Sequence, residues 1–457
     1  MDQGSCLFWI WLSERLGAAN RDFRKLIALY DPFELFHAED SELEHVEGIS
    51  QKTVDALSDK NLQRATEILD TCERMGISIL TFDSELYPKS LREIDVPPAL
   101  LYCRGTLPNL EKRLGVGTVG TRRMSAYGLN MAYKISYELA SVGAVIVSGM
   151  AAGIDGVCSA AAIAAGGETV AVLGCGVDVV YPLHHKTLME EICRHGAIVS
   201  EYPPGTQPRS YHFPVRNRII SGLSQGTVVV EAGLGSGSLI TARDAIKQGR
   251  DVFAFPANLG SKGAEGTNGL LRDGANLLTD TADVLEKYKF IYPETLFTER
   301  LADARSRSGA DLHHLERLGV IELTRAAKTA VAPPCAAAPQ PPEEKPKRRR
   351  SGKGATKSTE KREASATMPT KSTPSAQDSG NRAASASPSA EKTPDEVLSS
   401  LTPTQRMILE TMPDDRAITL DELGRLGRPM GDLIAALTML EILGLVQKLP
   451  GALYTKS

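Results

Sequence analysis

Val116-Gly117-Thr118-Val119-Gly120-Thr121-Arg122-Arg123-Met124-Ser125-Ala126-Tyr127-Gly128 is an apolar run that ends in a glycine turn and leads into a helical stretch. The pattern recurs along the chain. Similar turns follow at Ser148-Gly149-Met150-Ala151-Ala152-Gly153-Ile154-Asp155, at Leu173 to Pro182 and at Glu231 to Thr241. The runs before and between them, Gly115 to Val119, Ala144 to Ser148, Thr169 to Leu173, Ala197 to Ser200, Thr227 to Val230 and Asp251 to Phe255, are mostly Val-rich without polar alternation. Strands buried on both faces read this way. Stretches such as Tyr127 to Ser141 and Leu239 to Gln248 are long enough for crossover helices. Strand–helix repetition of this kind predicts an α/β fold built on a doubly wound parallel sheet.

In such a sheet all four turns fall at the carboxyl ends of strands, where ligands bind. Glycine lets the backbone approach a ligand, and the helix that follows presents free N–H groups. Arg122 and Arg123 add fixed positive charge, and Thr121 and Ser125 add hydroxyls, so the first turn suits a phosphate. It is not a dinucleotide fingerprint, because no G-x-G-x-x-G is present. Between the third and fourth turns lies Phe213-Pro214-Val215-Arg216-Asn217-Arg218. Two readings of its arginines stand open. They pair with a carboxylate such as Glu231 or Asp155, or they bring two guanidiniums to the anion groove with Phe213 as a stacking face.

Outside this core the chain changes character. Residues 1 to about 75 show helical spacing (Leu7, Ile10, Trp11; Leu26, Leu29), which predicts a small helical domain. Within it, Val46 to Val54 resembles half of a helix-hairpin-helix, with Ser50 in place of the usual second glycine. The strand–helix domain runs over 76–290. Residues 291–395 read as an extension and then, from about 325, a disordered linker rich in Ala, Pro, Ser, Thr and Lys. That linker holds a basic cluster of Lys345, Lys347, Arg348, Arg349, Arg350 and Lys353. Residues 396–457 predict a winged helix. Thr402 and Pro403 start its first helix, further helices lie near 420–426 and 430–443, and Gly444 to Tyr454 forms the wing. The expected recognition helix is apolar and carries Asp432 and Glu441, so a packing or protein-contact role is favoured over duplex reading.

Composition limits the alternatives. The formal net charge is −4, so only a local basic patch can bind nucleic acid. Aromatics make up 5% of the residues. The seven cysteines are scattered without C-x-x-C spacing, which predicts neither zinc nor disulfides and suits a reducing cytoplasm. His184-His185 and His313-His314 lack the spacing of metal ligands on a helix face. No run approaches the ~20 apolar residues of a membrane span, and the N-terminus reads as a buried helix. No paired carboxylates, Ser-His-Asp set or metal cluster stands out, so no cofactor, no metal and no catalysis are expected.

The strings PPALLYCRG (97–105), VGTRRMSAYG (119–128), SGMAAGID (148–155), VAVLGCGVDVVYP (170–182), SEYPPGTQP (200–208), FPVRNRIISGLS (213–224), VVVEA (228–232) with SGSLITA (236–242), and GRDVFAFPAN (249–258) resemble the DprA/Smf family in that family's order. The resemblance implies an extended Rossmann-like fold that binds single-stranded DNA. It also implies a homodimer, protection of incoming DNA, and loading of the RecA recombinase in natural transformation, with a single-strand-binding protein as a further contact. By motif, the DNA contacts come from Gly120, Thr121, Arg122 and Ser125, from Phe213, Arg216, Asn217 and Arg218, and from Ser236 and Gly237. Arg123 and Gly149 in the same turns complete the candidate set. The family's dimer contacts map to Leu271 and Leu277.

The chain departs from the family pattern at Ala152, where an arginine is usual, and at Cys158-Ser159, where Ala-His is usual. The basic count near the second turn is lower, and the linker's basic cluster would have to offset it. Two other classes compete. One is a nucleotide-monophosphate phosphoribohydrolase-like enzyme, whose PGGxGTxxE signature is absent here. The other is an adaptor whose DNA binding has decayed.

Overall fold

The computed structural model describes residues 3–261, 263, 265–322 and 402–413, and further on 418–419, 422–423, 428, 433, 436–437, 440, 445–449 and 453–456. The chain divides into two compact units, the first holding everything described up to residue 322. Its centre is a sheet of nine strands: β1 (Ser78–Thr81), β2 (Leu100–Gly105), β3 (Gly115–Val119), β4 (Val145–Ser148), β5 (Thr169–Val172), β6 (Gly196–Ser200), β7 (Gly226–Val229), β8 (Asp251–Ala254) and β9 (Asn276–Leu277). They lie in the order β1-β2-β6-β5-β4-β3-β7-β8-β9. The strands from β6 to β9 in that order are parallel. The sequence reading did not foresee β1 and β2, which close the β6 edge with antiparallel pairing.

The uniformly apolar strands follow from the two cores they feed. In β4, Val145 and Val147 face one core and Ile146 the other; β5 divides Val170 and Val172 from Ala171, and β6 divides Ala197 and Val199 from Ile198 in the same way. One face is covered by helices 126–141, 154–164 and 186–194, the other by helices 212–222 and 238–247. Crossovers between parallel strands are right-handed, so a reversal in the direction of strand addition moves the helices to the other face. That reversal lies between β3 and β7. The first connects onward to β4 on one side, the second to β8 on the other.

The helical front is not a free-standing domain. Its first helix, Gln3–Leu16, buries Trp9, Ile10, Trp11 and Leu12 in the same core that underlies the sheet. Phe82 just after β1 meets Phe23 edge-on at 5.3 Å and Trp9 at 6.4 Å. The extension past 290 also folds back. Helices 301–307 and 312–317 bury Leu301, Ala304 and Leu315. Fully buried Glu138 ties this region to the sheet by accepting from the hydroxyls of Thr281 (2.5 Å) and Ser308 (2.8 Å).

In the second unit, helix Pro403–Thr411 starts with a reciprocal cap between Thr402 and Gln405. Strands β11 (Val446–Leu449) and β12 (Leu453–Lys456) pair as the expected wing, and β10 (Ile418–Thr419) joins β12. Leu433, Ala436, Leu437 and Leu440 are helical and buried. Their i, i+3, i+4, i+7 spacing is that of a core-facing stripe, which accounts for the apolar character of this stretch. Most of 420–426 and 430–443, and the whole basic linker, lie outside the described residues. Among the described residues no helix is long and apolar enough to cross a membrane, and no group of His, Cys, Asp and Glu could hold a metal.

Candidate nucleic-acid interface

Open α/β sheets bind ligands where the direction of strand addition reverses, outside the carboxyl ends. A groove of about 930 Å³ lies there. Its walls are the loops after β3 and β7 and the start of helix 212–222. Of the candidate residues, Gly120, Thr121, Arg122, Arg123, Phe213, Arg216, Asn217, Ser236 and Gly237 line it; Ser125, Gly149 and Arg218 do not.

The loops are locked by their own backbone. Thr121 donates its N–H to the Glu231 carbonyl (2.8 Å), and its hydroxyl accepts from the Arg123 N–H (3.2 Å). Ser125 does not face the groove with its hydroxyl. It caps helix 126–141 by accepting from the Gly128 N–H (3.0 Å). The Ser125 N–H donates to the buried Glu231 carboxylate (2.9 Å). Asn217 Nδ2 donates to the Gly237 carbonyl (3.2 Å), tying the fourth loop to helix 212–222. Ser236 and Ser238 share a hydroxyl hydrogen bond of 2.7 Å.

The two arginines of the central motif part company. The Arg218 guanidinium turns away from the groove into a nearly buried ion pair with Glu201, its Nη2 reaching both carboxylate oxygens (2.7 and 2.9 Å), while its Nε donates to the Val96 carbonyl (2.9 Å). The expectation that it brings charge to the groove is therefore corrected. Its neighbour Glu201, unforeseen from sequence, also accepts from the Ala19 N–H (3.2 Å), so the pair clamps the helical front to the sheet. Neither arginine pairs with Glu231.

Arg216 does reach the groove, from beneath. It is 4% exposed and donates to the Val172 carbonyl at the end of β5, while its Nε has no partner among the described residues. A side chain on Gly149 would collide with this guanidinium; glycine there makes room for Arg216. Opposite stands Asp155, 7% exposed. Its carboxylate takes backbone N–H bonds from Gly120, Gly149 and Ala151. One acid thus anchors the first two glycine turns. Burial raises the Asp155 carboxyl to about 6, against the pull of Arg216 and those N–H groups. Burial likewise brings Arg216 down to about 10, with Asp155 opposing and Arg122 assisting. A carboxylate partner at Asp155 was one of the two readings left open in the sequence, and Arg216 is the arginine it faces; its hold on the glycine turns was not legible.

At the mouth, Arg122 is exposed and lies 5.2 Å over the Phe213 ring, a cation–π contact. Phe213 in turn packs at 5.2 Å on Tyr181. Tyr181, missed in the sequence reading, sits in the loop after β5, so the third turn also reaches the groove. Two rings, Phe213 and Tyr181, thus line the groove.

Other sequence expectations sit elsewhere. The half hairpin at 46–54 presents the start of helix 51–57, but Asp22 already occupies it. Its carboxylate accepts from the Ser50 N–H (3.0 Å), the Ser50 hydroxyl (2.8 Å) and the Thr53 hydroxyl (2.7 Å). Burial works against that charge, yet the hydrogen bonds from Thr53 and Ser50 hold the carboxyl below its usual range. An internal anion stands where a phosphate would have to bind. Cys158 and Ser159 are fully buried, so that departure takes nothing from the groove. Leu277 is 54% exposed on the edge strand β9, and Leu271 is half-buried in helix 265–272.

Comparisons with known proteins agree with this geometry. The family of DNA recombination-mediator protein A matches residues 78–289, and the DprA winged helix domain matches residues 388–452. DNA processing protein DprA of Bacillus subtilis is 41% identical over 220 residues, 48% of this chain and 74% of that protein. Its counterpart from Streptococcus pneumoniae strain R6 is 44% identical over 206 residues, 45% of this chain and 72% of that protein. The X-ray structure of DprA from Streptococcus pneumoniae superposes with a TM-score of 0.54 at 35% identity, covering 61% of this chain and 97% of that one. With motifs, sheet topology and relatives in accord, this chain belongs to the DprA/Smf family.

Proposed function

We propose that the groove between the β3 and β7 loops binds single-stranded DNA without catalysis. The observation that carries this reading is the pairing of Arg122, stacked on Phe213 at the mouth, with buried Arg216 at the floor. Arg122, Arg123 and Arg216 line one cavity in which, among the described residues, Asp155 is the one acid, which leaves excess positive charge for a phosphate. Phe213 and Tyr181 offer ring faces that only an unpaired base can reach. Phosphate contacts carry no base code, so binding is independent of sequence. The phosphoribohydrolase alternative loses support because Glu231, the acid nearest the fourth loop, turns its carboxylate to the Ser125 N–H instead of the groove.

The family's biology extends the proposal. The chain protects incoming DNA and loads the RecA recombinase during natural transformation, with a single-strand-binding protein as a neighbour, in the cytoplasm. It works as a homodimer, for which exposed Leu277 on the free sheet edge is the supporting feature, with Leu271 nearby. The test is fluorescence anisotropy with labelled oligo-dT and matched duplex at two salt concentrations. Tight, salt-sensitive binding to the single strand alone is expected, and Arg122→Ala should weaken it. Equal binding to duplex, or an Arg122→Ala variant with full affinity, overturns the reading.

A further inference from the structure

A second group of rings lies just before helix 212–222, beside the groove. Tyr211 is 59% exposed. Its ring meets that of His212 edge-on at 4.6 Å and 84°. His212 is buried and stacks on Tyr202 at 4.0 Å and 21°, and its Nδ1 bonds the Gly174 carbonyl at 2.9 Å. The exposed ring therefore stands on two others, of which His212 is pinned to the loop after β5. Arg209 donates from Nη1 to the Tyr211 hydroxyl (3.0 Å) and has no carboxylate partner among the described residues. Pro208 and Ser210 line the groove, so the strap that carries Arg209 and Tyr211 is continuous with its wall.

We propose that Tyr211 and Arg209 form a second platform for a nucleobase, taking a base further along the strand than the one at Phe213. This rests on the groove binding single-stranded DNA. The chemistry is that of a stacking site. A rigid aromatic face receives the base, and a guanidinium with no carboxylate partner among the described residues stands ready for the adjoining phosphate. It is distinct from the Phe213–Tyr181–Arg122 cluster, since each set of rings packs within itself.

The test uses the full chain and oligo-dT of two lengths, about 4 and about 12 nucleotides, within the usual range of single-strand sites. Tyr211→Ala should weaken binding of the longer strand by about 5- to 150-fold, the range of one lost base stack, and leave the shorter one unchanged. Tyr211→Phe should recover most of that affinity, because the ring remains while Arg209 loses its bond to the hydroxyl. A longer strand carrying one abasic position at the platform should bind the wild type as weakly as intact DNA binds Tyr211→Ala. Unchanged binding of the longer strand by Tyr211→Ala, with an unaltered melting curve, removes the platform and leaves the groove intact. Loss of the short strand as well makes Tyr211 part of the groove itself and overturns the separate platform. A wild type that binds neither length removes both proposals.

Discussion

Asp155→Asn tests the floor of the groove most directly. Burial lifts this carboxyl from an ordinary 3.8 to about 6; a shift of that size corresponds to roughly 3 kcal/mol of disfavoured charge. A raised acid stabilises the fold in its protonated form. That contribution is fully present below 3.8 and is lost as pH rises through about 6. Asparagine removes the penalty at neutral pH, but it withdraws the charge facing Arg216 and gives the N–H groups of Gly120, Gly149 and Ala151 a poorer acceptor. Because the rise to about 6 already includes the pull of Arg216 and of those N–H groups, a neutral side chain relieves the penalty on balance, and the free variant should melt no lower than the wild type at neutral pH. Bound to single-stranded DNA, it should gain. One guanidinium freed for a phosphate steepens the salt dependence by about 0.7 log units per log salt, so a fourfold rise in salt costs about 2.6-fold more affinity than in the wild type. The wild type should approach the same slope as pH falls below about 6, where Asp155 takes up its proton. Anisotropy titrations at two salts and two pH values measure this, with thermal melts in parallel. A folded variant with an unchanged slope, or with weaker binding at low salt, refutes the reasoning.

Two further predictions concern the framework. Arg218→Ala should destabilise the protein by about 3–5 kcal/mol, because it strands Glu201 in a nearly buried site. The salt slope of DNA binding should stay the same, and Glu201→Gln should recover part of the loss; denaturant unfolding and anisotropy together decide this. His185 is buried, bonds the Met150 carbonyl through Nδ1 (3.1 Å), and has its pKa lowered by burial from 6.5 to about 4. Its stabilising contribution is present above 6.5 and is lost as pH falls through about 4, a change of roughly 3 kcal/mol opposite in sign to that of Asp155. His185→Gln should remove that acid-side loss in denaturant unfolding at pH 7 and pH 4. An identical pH profile would show that the imidazole is not held neutral by the fold.

Much of the sheet was legible because its signal is local. The strand at Gly115–Val119 was placed at the residues observed, and the others fell within a residue or so, since a strand buried on both faces must be apolar throughout. The antiparallel pair β1 and β2 escaped notice because antiparallel edge pairing leaves no crossover helix to announce it. The helical front was legible as helices. Its union with the sheet was not, because contacts such as Phe23 with Phe82 join residues far apart in the chain.

At the site, glycine turns and arginines could be read directly, since residue type and position after a strand suffice to suggest an anion groove. Residue type cannot say which way a side chain points. Arg216 and Arg218 are two positions apart, yet one enters the groove beside Asp155 and the other leaves it for Glu201. Residues two apart on a helix do not share a face. The chain alone determined the fold class, the family and the loops that meet at the carboxyl edge. Only the tertiary structure decided which charges are spent on each other and which remain for a ligand, because buried charges demand partners and those partners come from other strands, helices and loops.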